Sequence, residues 1–282
     1  MNRKTAKPRK QISRFRKPPS KGRSRSWDAV ADWYIGWSGP HGSNHHKYLA
    51  IPLMMDLLSL GKGQQILDLG CGAGALAPSI MKNNANYTGI DLSSKLIATA
   101  KKHHLRADNR GGKSRFYVAD CTQLPKEGIP GITASSFDGV TFLLSIQDIN
   151  PLDGAISSAA WALKPSGKLV ILMTHPCFRV PRQSGWGWDG DRKLQYRRID
   201  RYLTPLDVPM QEYSKGNRGT TRCYHRPLQE YMDLLRDNGF MVDAIREIPA
   251  MPPKEASKET KAERVIREEI PLFLVMRAYL IN

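Results

Sequence analysis

The sequence is short of cysteine, of long apolar runs and, at its N-terminus, of acidic charge. Its four cysteines, Cys71, Cys121, Cys177 and Cys223, lie far apart and form no C-x-x-C pair. That spacing argues against a zinc site and offers no disulfide framework. The richest apolar run, Leu169 to Met173, has the length of a strand and not of a membrane span. A secretory signal needs an apolar stretch near the N-terminus, and none is there. These absences lead us to expect a soluble, intracellular and cytoplasmic protein with no membrane partner. No internal repeat is visible either. What remains, 282 residues of which 40% are hydrophobic and 24% charged, suits one large globular domain or two small ones.

The missing acids mark a boundary. Residues 1–25 hold eleven of the 43 Lys and Arg and none of the 26 Asp and Glu, so this arm carries about two thirds of the net charge of +17. It also holds Pro8, Pro18 and Pro19, which argue against the amphipathic helix of a transit peptide. With so little to bury, residues 1–26 are expected to be a disordered basic arm. Two roles fit it: contact with RNA or another polyanion through counterion release, or simple solubilisation. Residues 27–282 are then the folded domain.

Within that domain, helices are expected over Trp27–Tyr34 and from about Asn44 to Leu60, closed by Gly61 and Gly63. A β/α alternation follows. Its strands are Gln65–Leu69, Tyr87–Ile90, Phe116–Val118, Phe137–Leu144 and Lys168–Met173, the last introduced by a Pro165-Ser166-Gly167 turn. Helices are expected near 75–81, after Ser93 or Ser94, and over 156–163. Such alternation implies a parallel sheet covered on both faces. Residues 176–226 break it, with no helical period and many Arg, Trp, Tyr, Gly and Pro. A helix over 228–235 and strands over 240–245 and 272–280 complete the chain, with a loop or short helix in 250–270.

The sharpest local signal is Ile66-Leu67-Asp68-Leu69-Gly70-Cys71-Gly72-Ala73-Gly74. An apolar strand delivers three alternating glycines to a strand-to-helix turn, where a missing Cβ permits positive φ and close approach to a ligand. The spacing is G-x-G-x-G, one residue short of the G-x-G-x-x-G that cradles a pyrophosphate. Asp68, just before the first glycine, suits a ligand bearing an amine. Asp91 closes the second strand, where doubly wound sheets place an acid on ribose hydroxyls. Asp120 closes the third, placed to receive a purine's exocyclic amine. Each acid taken alone could be a helix cap or a loop acid; three in order at successive strand ends point to a ligand.

At these residues the chain resembles the class I S-adenosylmethionine-dependent methyltransferases, in their small-molecule branch. The resemblance rests on ILDLGCGAG at 66–74, GIDLS at 89–93, VADCTQLP at 118–125, SFDGVT at 136–141 and LKPSGKLV at 163–170. It covers roughly residues 44–175, with a weaker match from Tyr224 onward. It implies a doubly wound, seven-stranded, mostly parallel sheet of the Rossmann-like methyltransferase fold, with an antiparallel strand near one edge and a substrate-side insertion. It implies S-adenosylmethionine as cofactor. Gly70, Gly72 and Gly74 would line its methionine part with Asp68 and Cys71 nearby, Asp91 would take the ribose, and Asp120 with Cys121 the adenine.

Two signatures that would name an acceptor are missing. No N/D-P-P-Y/F follows the fourth strand, which runs into Ser145-Ile146-Gln147-Asp148, and no Pro-Cys pair stands there. His175, directly after the fifth strand, is the first candidate for a general base, a histidine that merely packs its loop being the alternative, and Asp148 is the second. His45 and His46 lack a third ligand, so no metal is expected. His103 and His104 decorate a helix end. Residues 176–226, with eleven Arg or Lys against five acids and interleaved aromatics, should roof the acceptor site. Arginines beside aromatics suit stacked bases and phosphates, or a small anionic aromatic molecule. Two acceptors therefore stand: a small organic molecule, favoured by the resemblance beyond Tyr224, and rRNA or tRNA, favoured by the arm. A rival of another class is a non-catalytic RNA- or ribosome-associated protein that kept the fold.

Overall fold

Burial alternates residue by residue along the central strands, and that alternation sets the architecture. On β5 (Leu163–Thr174), Leu169, Ile171 and Met173 join one apolar cluster while Val170 and Leu172 join another. Both faces of the sheet are thus covered, as parallel strands require. The computed structural model describes residues 26–105, 111–211, 220–251 and 259–281. Apart from Ser26, the basic arm lies outside the described residues.

The main sheet has seven strands in the order β10-β11-β5-β4-β1-β2-β3. Here β1 is Gln65–Leu69, β2 Asn86–Asp91, β3 Ser114–Val118, β4 Phe137–Leu143, β10 Phe240–Ile248 and β11 Phe273–Leu280. Strands β3, β2, β1, β4 and β5 run parallel, and β11 pairs antiparallel with both β5 and β10. This is the doubly wound, mostly parallel sheet expected. Chain order reverses around β1, which has β2 on one side and β4 on the other, so a crevice opens at their carboxyl ends.

One face carries α2 (Ile51–Leu58), α3 (Ala77–Lys82) and α4 (Ser94–His104); the other carries α6 (Leu152–Ala162) and α7 (Leu228–Asp237). On α6, Leu152, Ala155, Ile156, Ala159 and Ala162 are buried, the stripe that 3.6-residue periodicity predicts. The remaining helices are α1 (Ser26–Ser38), the single turn α5 (Leu124–Glu127) and α8 (Lys261–Glu269). In α8 the Thr260 side chain accepts from the Glu263 N–H while Glu263 reaches back, a capping box within the polar stretch read as loop or short helix.

Three boundaries differ from expectation. The helix expected over 44–60 runs unbroken from Asn44 to Leu58, but its register loosens to a π-helical stretch, His46–Ala50, ahead of α2. Ser59, at φ 47, already ends α2, ahead of Gly61 and Gly63. Its end is fixed from outside the segment: Lys168 Nζ donates to Leu58 O at 2.6 Å and Arg277 to Leu57 O at 3.1 Å, cations meeting free carbonyls. Finally, Pro165-Ser166-Gly167 does not separate a helix from a strand. It bulges out of β5, where the pairing jumps from Phe137↔Leu163 to Gly139↔Lys168.

The stretch without helical period folds as two antiparallel hairpins apart from the main sheet. They are β6 (Ser184–Asp189) with β7 (Leu194–Ile199), and β8 (Leu206–Gln211) with β9 (Thr220–His225).

Candidate active site

The glycine turn is tied to the sheet before it meets any ligand. The N–H groups of Gly70 and Cys71 both donate to Ile90 O, at 2.8 and 2.9 Å, which bends the chain sharply off the end of β1. Gly70, Gly72 and Gly74 all have positive φ, at 73°, 54° and 80°. Their surroundings differ. A Cβ on Gly70 would sit 2.6 Å from Ser145 Cβ, and one on Gly74 would sit 2.9 Å from the Phe116 ring. Around Gly72 nothing lies within 4 Å, because that position faces a cavity.

The cavity, about 450 Å³, occupies the crevice at the carboxyl ends of β1, β2, β3 and β4. Of the expected cofactor residues, Gly70, Cys71, Gly72, Asp91, Asp120 and Cys121 line it. Asp91 Oδ2 accepts from Gly72 N at 2.9 Å and its Oδ1 from Ser93 N at 2.8 Å, so one carboxylate holds both the turn and the start of α4. Burial pushes its pKa up, against those two hydrogen bonds. Asp120 is oriented by Thr122, whose N–H and hydroxyl donate to Oδ1 at 3.0 and 2.7 Å, and by Gln123. Burial likewise raises the Cys71 and Cys121 thiols, which stay neutral.

Two expected residues stand away from the cavity. Gly74 packs against Phe116, Ala100 and His104. Asp68 is 1% exposed and sits beneath the turn, where Tyr87 Oη donates to Oδ2 at 2.7 Å and Thr141 Oγ1 to Oδ1 at 2.8 Å. Burial lifts its pKa to about 6 despite both donors. Tyr87→Phe leaves a buried carboxylate oxygen unpaired and should cost about 1–3 kcal/mol at pH 8. The donor favours the charged form. Removing it raises the folded pKa further, and the cost should shrink as pH falls through about 6 toward 4 and Asp68 is protonated. Urea melts of wild type and variant at pH 8 and pH 4.5 measure this; equal losses at both would contradict it.

His175 does not reach the cavity. It is 2% exposed; Nε2 meets Glu247 Oε1 at 2.8 Å and Nδ1 accepts from Cys177 N at 3.2 Å, so both ring nitrogens are engaged in fixing the turn after β5. Burial lowers its pKa, offset in part by Glu247. A base needs a free lone pair within reach of its substrate. The geometry gives His175 the packing role that was the alternative.

Several lining residues escaped the sequence. Trp27, Tyr34 and Ser38 come from α1. That helix is clamped on the start of α4: Asp28 accepts from Ser93 Oγ (2.6 Å), Ser94 Oγ (3.1 Å) and Lys95 N (3.2 Å). On its other side α1 packs on β9. His46 lines the cavity beside Gly42, and burial lowers its pKa to about 4. Its Nδ1 takes the Ser43 N–H at 3.3 Å, so the neutral ring carries its proton on Nε2. From the second hairpin come Asp207, Arg222 and Tyr224, with Arg222 Nε on Asp207 Oδ1 at 2.5 Å. The first hairpin does not line the cavity; Trp186, Trp188 and Tyr196 are 44%, 58% and 47% exposed. No sequence signal marks His46 or Tyr34. The docking of α1 brings Tyr34 over a site that begins 36 residues later at Gly70, and the π-helical turn that starts at His46 brings the imidazole there from 24 residues before it.

The residues present fit a nucleoside carrying a sulfonium amino acid. The open Gly72 position admits close approach, the strand-end acids accept hydroxyl and amine hydrogens, and no basic cluster of the kind a pyrophosphate needs lines the glycine turn. Among the described residues no group of three or more His, Cys, Asp or Glu could hold a metal, and no helix is long and apolar enough to cross a membrane.

Comparison with known proteins agrees with this geometry. A family model described as a methyltransferase domain matches residues 67–171. A ubiquinone biosynthesis O-methyltransferase of Coxiella burnetii is 26% identical over 218 residues, covering 74% of this chain and 88% of its own length. An S-adenosylmethionine-dependent methyltransferase from Mesorhizobium loti superposes with a TM-score of 0.60 at 24% identity, over 83% of this chain and 97% of that one. One from Listeria monocytogenes, described as a putative S-adenosylmethionine-dependent methyltransferase, gives 0.61 at 22%, over 84% and 100%.

Proposed function

We propose that this chain is a class I S-adenosylmethionine-dependent methyltransferase and that it methylates a small organic molecule held inside the cavity. The observation that carries this reading is the partial roof: α1 packs against β9, and both contribute side chains to the cavity, which leaves a recessed pocket where a folded RNA would need an open face. The similarity to O-methyltransferases of ubiquinone biosynthesis supports a small acceptor as well. In this reading residues 1–26 take no part in the chemistry. Residues 27–282 form the methyltransferase domain, and within 176–226 the second hairpin closes the acceptor side.

When bound, S-adenosylmethionine supplies a methyl group made electrophilic by its sulfonium. The chain's own residues bind and orient. Gly72 lets the backbone approach the cofactor's methionine part. Asp91, already holding the Gly72 amide, keeps lone pairs for ribose hydroxyls, and Asp120 with Cys121 lines the place for the adenine. The Nε2–H of His46 is a neutral donor suited to a carboxylate. Trp27, Tyr34 and Tyr224 exclude water from the acceptor side. Alignment and dryness supply most of the rate in such a displacement.

The test is to incubate the protein with methyl-labelled cofactor and total cell extract, then fractionate. Label should enter the small-molecule fraction. Label confined to RNA would overturn the acceptor, and no labelling with no cofactor binding would overturn the function.

A further inference from the structure

We infer that Asp148 is the general base of the transfer and that the acceptor it serves is a weakly acidic hydroxyl of the phenol class. This rests on the methyltransferase reading above. Asp148 ends the 3₁₀ turn Ile146–Asp148, which follows β4 on the carboxyl edge of the sheet, and it lines the cavity shared by Gly72 and Asp91. Tyr34 lines the same cavity and feels both the Asp91 and the Asp148 charges.

The surroundings of Asp148 are those of a group kept available. Among the described residues, no N–H or hydroxyl hydrogen bond to its oxygens is made; its partner is the Cys223 thiol, a weak donor. Arg226, 5% exposed, gives Nη2 to Ile149 O at 2.9 Å and Asn150 Oδ1 at 3.0 Å and sets Nε 3.5 Å from Glu230, while its buried Nη1 makes no hydrogen bond to Asp148 or to any other described group. Arg226 therefore lends charge at a distance and does not lock the carboxylate. Burial outweighs both neighbours and sets Asp148 at about 7, where a base for neutral-pH chemistry belongs.

The other titratable groups facing the cavity cannot do this work. Tyr34, pushed to about 12, stays protonated, as do the Cys121 and Cys223 thiols. His46 presents a proton, not a lone pair. Asp207 is held by Arg222, while Asp91 and Asp120 are held by backbone amides on the cofactor side.

Acceptor chemistry follows. A carboxylate acceptor needs no base and would be repelled by Asp148. An amine acceptor attacks as the neutral amine and sheds its proton only after the bond has formed, so it needs no base in the transfer step itself. A hydroxyl that loses its proton only as the bond forms matches a base of this strength, and the aromatic walls Trp27, Tyr34 and Tyr224 suit a flat ring. The acceptor O–H breaks and its proton passes to the Asp148 carboxylate. The oxygen's electron pair forms the new O–C bond, and the S–C pair remains on sulfur as neutral S-adenosylhomocysteine.

The probes are catechol and 4-nitrocatechol, the second already ionised near neutrality, with methyl-labelled cofactor and wild type, Asp148→Asn and Asp148→Glu. For catechol, Asp148→Asn should lower kcat/KM by about 10²–10⁴-fold, and the wild-type rate should rise with pH through about 7. For 4-nitrocatechol, which needs no base, the loss should be tenfold or less, and Asp148→Glu should recover part of the catechol rate. S-adenosylhomocysteine affinity by calorimetry should be unchanged in both variants. Equal losses on the two probes would make Asp148 structural and overturn the assignment. Wild type that binds cofactor but labels neither probe would overturn the hydroxyl acceptor while leaving the methyltransferase standing; failure to bind cofactor would remove the reading beneath it.

Discussion

Asp91→Ala should weaken binding of S-adenosylhomocysteine by about 100-fold or more. Each hydrogen bond from a ribose hydroxyl to an ionised carboxylate is worth about 1.5–3 kcal/mol, and each 1.4 kcal/mol is about tenfold in affinity. Two such bonds give the expected loss. A second cost adds to it, because the same carboxylate holds the Gly72 and Ser93 amides at 2.9 and 2.8 Å, and its removal frees the turn that the cofactor must approach. Asp91→Asn keeps one oxygen acceptor and should fall between. Titration calorimetry reads all three proteins. Since burial holds the Asp91 pKa above the ordinary range, affinity should also decline on mild acidification, earlier than an exposed aspartate would allow. Binding by the alanine variant within threefold of wild type would show that the ribose is held elsewhere.

Gly72→Val should abolish cofactor binding in a protein that still folds, and Gly74→Val should do the reverse. Both glycines have positive φ, which costs a β-branched residue about 1–3 kcal/mol. At Gly72 that strain is the whole structural penalty, since a Cβ there meets nothing within 4 Å; the new side chain stands in the cavity where the cofactor must lie. At Gly74 the Cβ would lie 2.9 Å from the Phe116 ring and 3.3 Å from Ala100 and His104. Overpacking adds about 1–3 kcal/mol to the strain. Gly74→Val should therefore melt several degrees below Gly72→Val, yet bind S-adenosylhomocysteine when folded. Thermal melts beside calorimetry separate the two, and a Gly72→Val protein that binds normally would refute the placement of the cofactor.

These paired glycines show where the sequence was legible. Strand-sized apolar runs, each ending in an acid or a glycine at β/α spacing, dictated the parallel sheet and its carboxyl-edge crevice, because backbone period and burial are local properties of the chain. Three glycines in alternation likewise announced a turn with positive φ. Local pattern could not assign them different duties. Gly72 faces space because nothing distant comes near it, whereas Gly74 is enclosed by side chains from β3 and α4. Asp68 and Asp91 look equivalent as strand-end acids. One is sealed because Tyr87 of β2 and Thr141 of β4 close over it, while the other opens to the cavity.

The base and the roof were decided only by tertiary structure. His175 had the right position in sequence, but the partners that occupy it, Glu247 and the Cys177 amide, belong to the far edge strand and its own turn. Asp148 became the available acid because Cys223 of β9 and Arg226, just after that strand, come to it from 75 or more residues away. Residues 176–226 gave no hint of two hairpins with opposite fates, since cross-strand pairing is set by partners and not by composition. The sequence by itself determined the sheet, its crevice and the glycine turn, all products of short-range periodicity. Which side chains face the crevice, and which are consumed in holding it together, depended on long-range packing that no local pattern encodes.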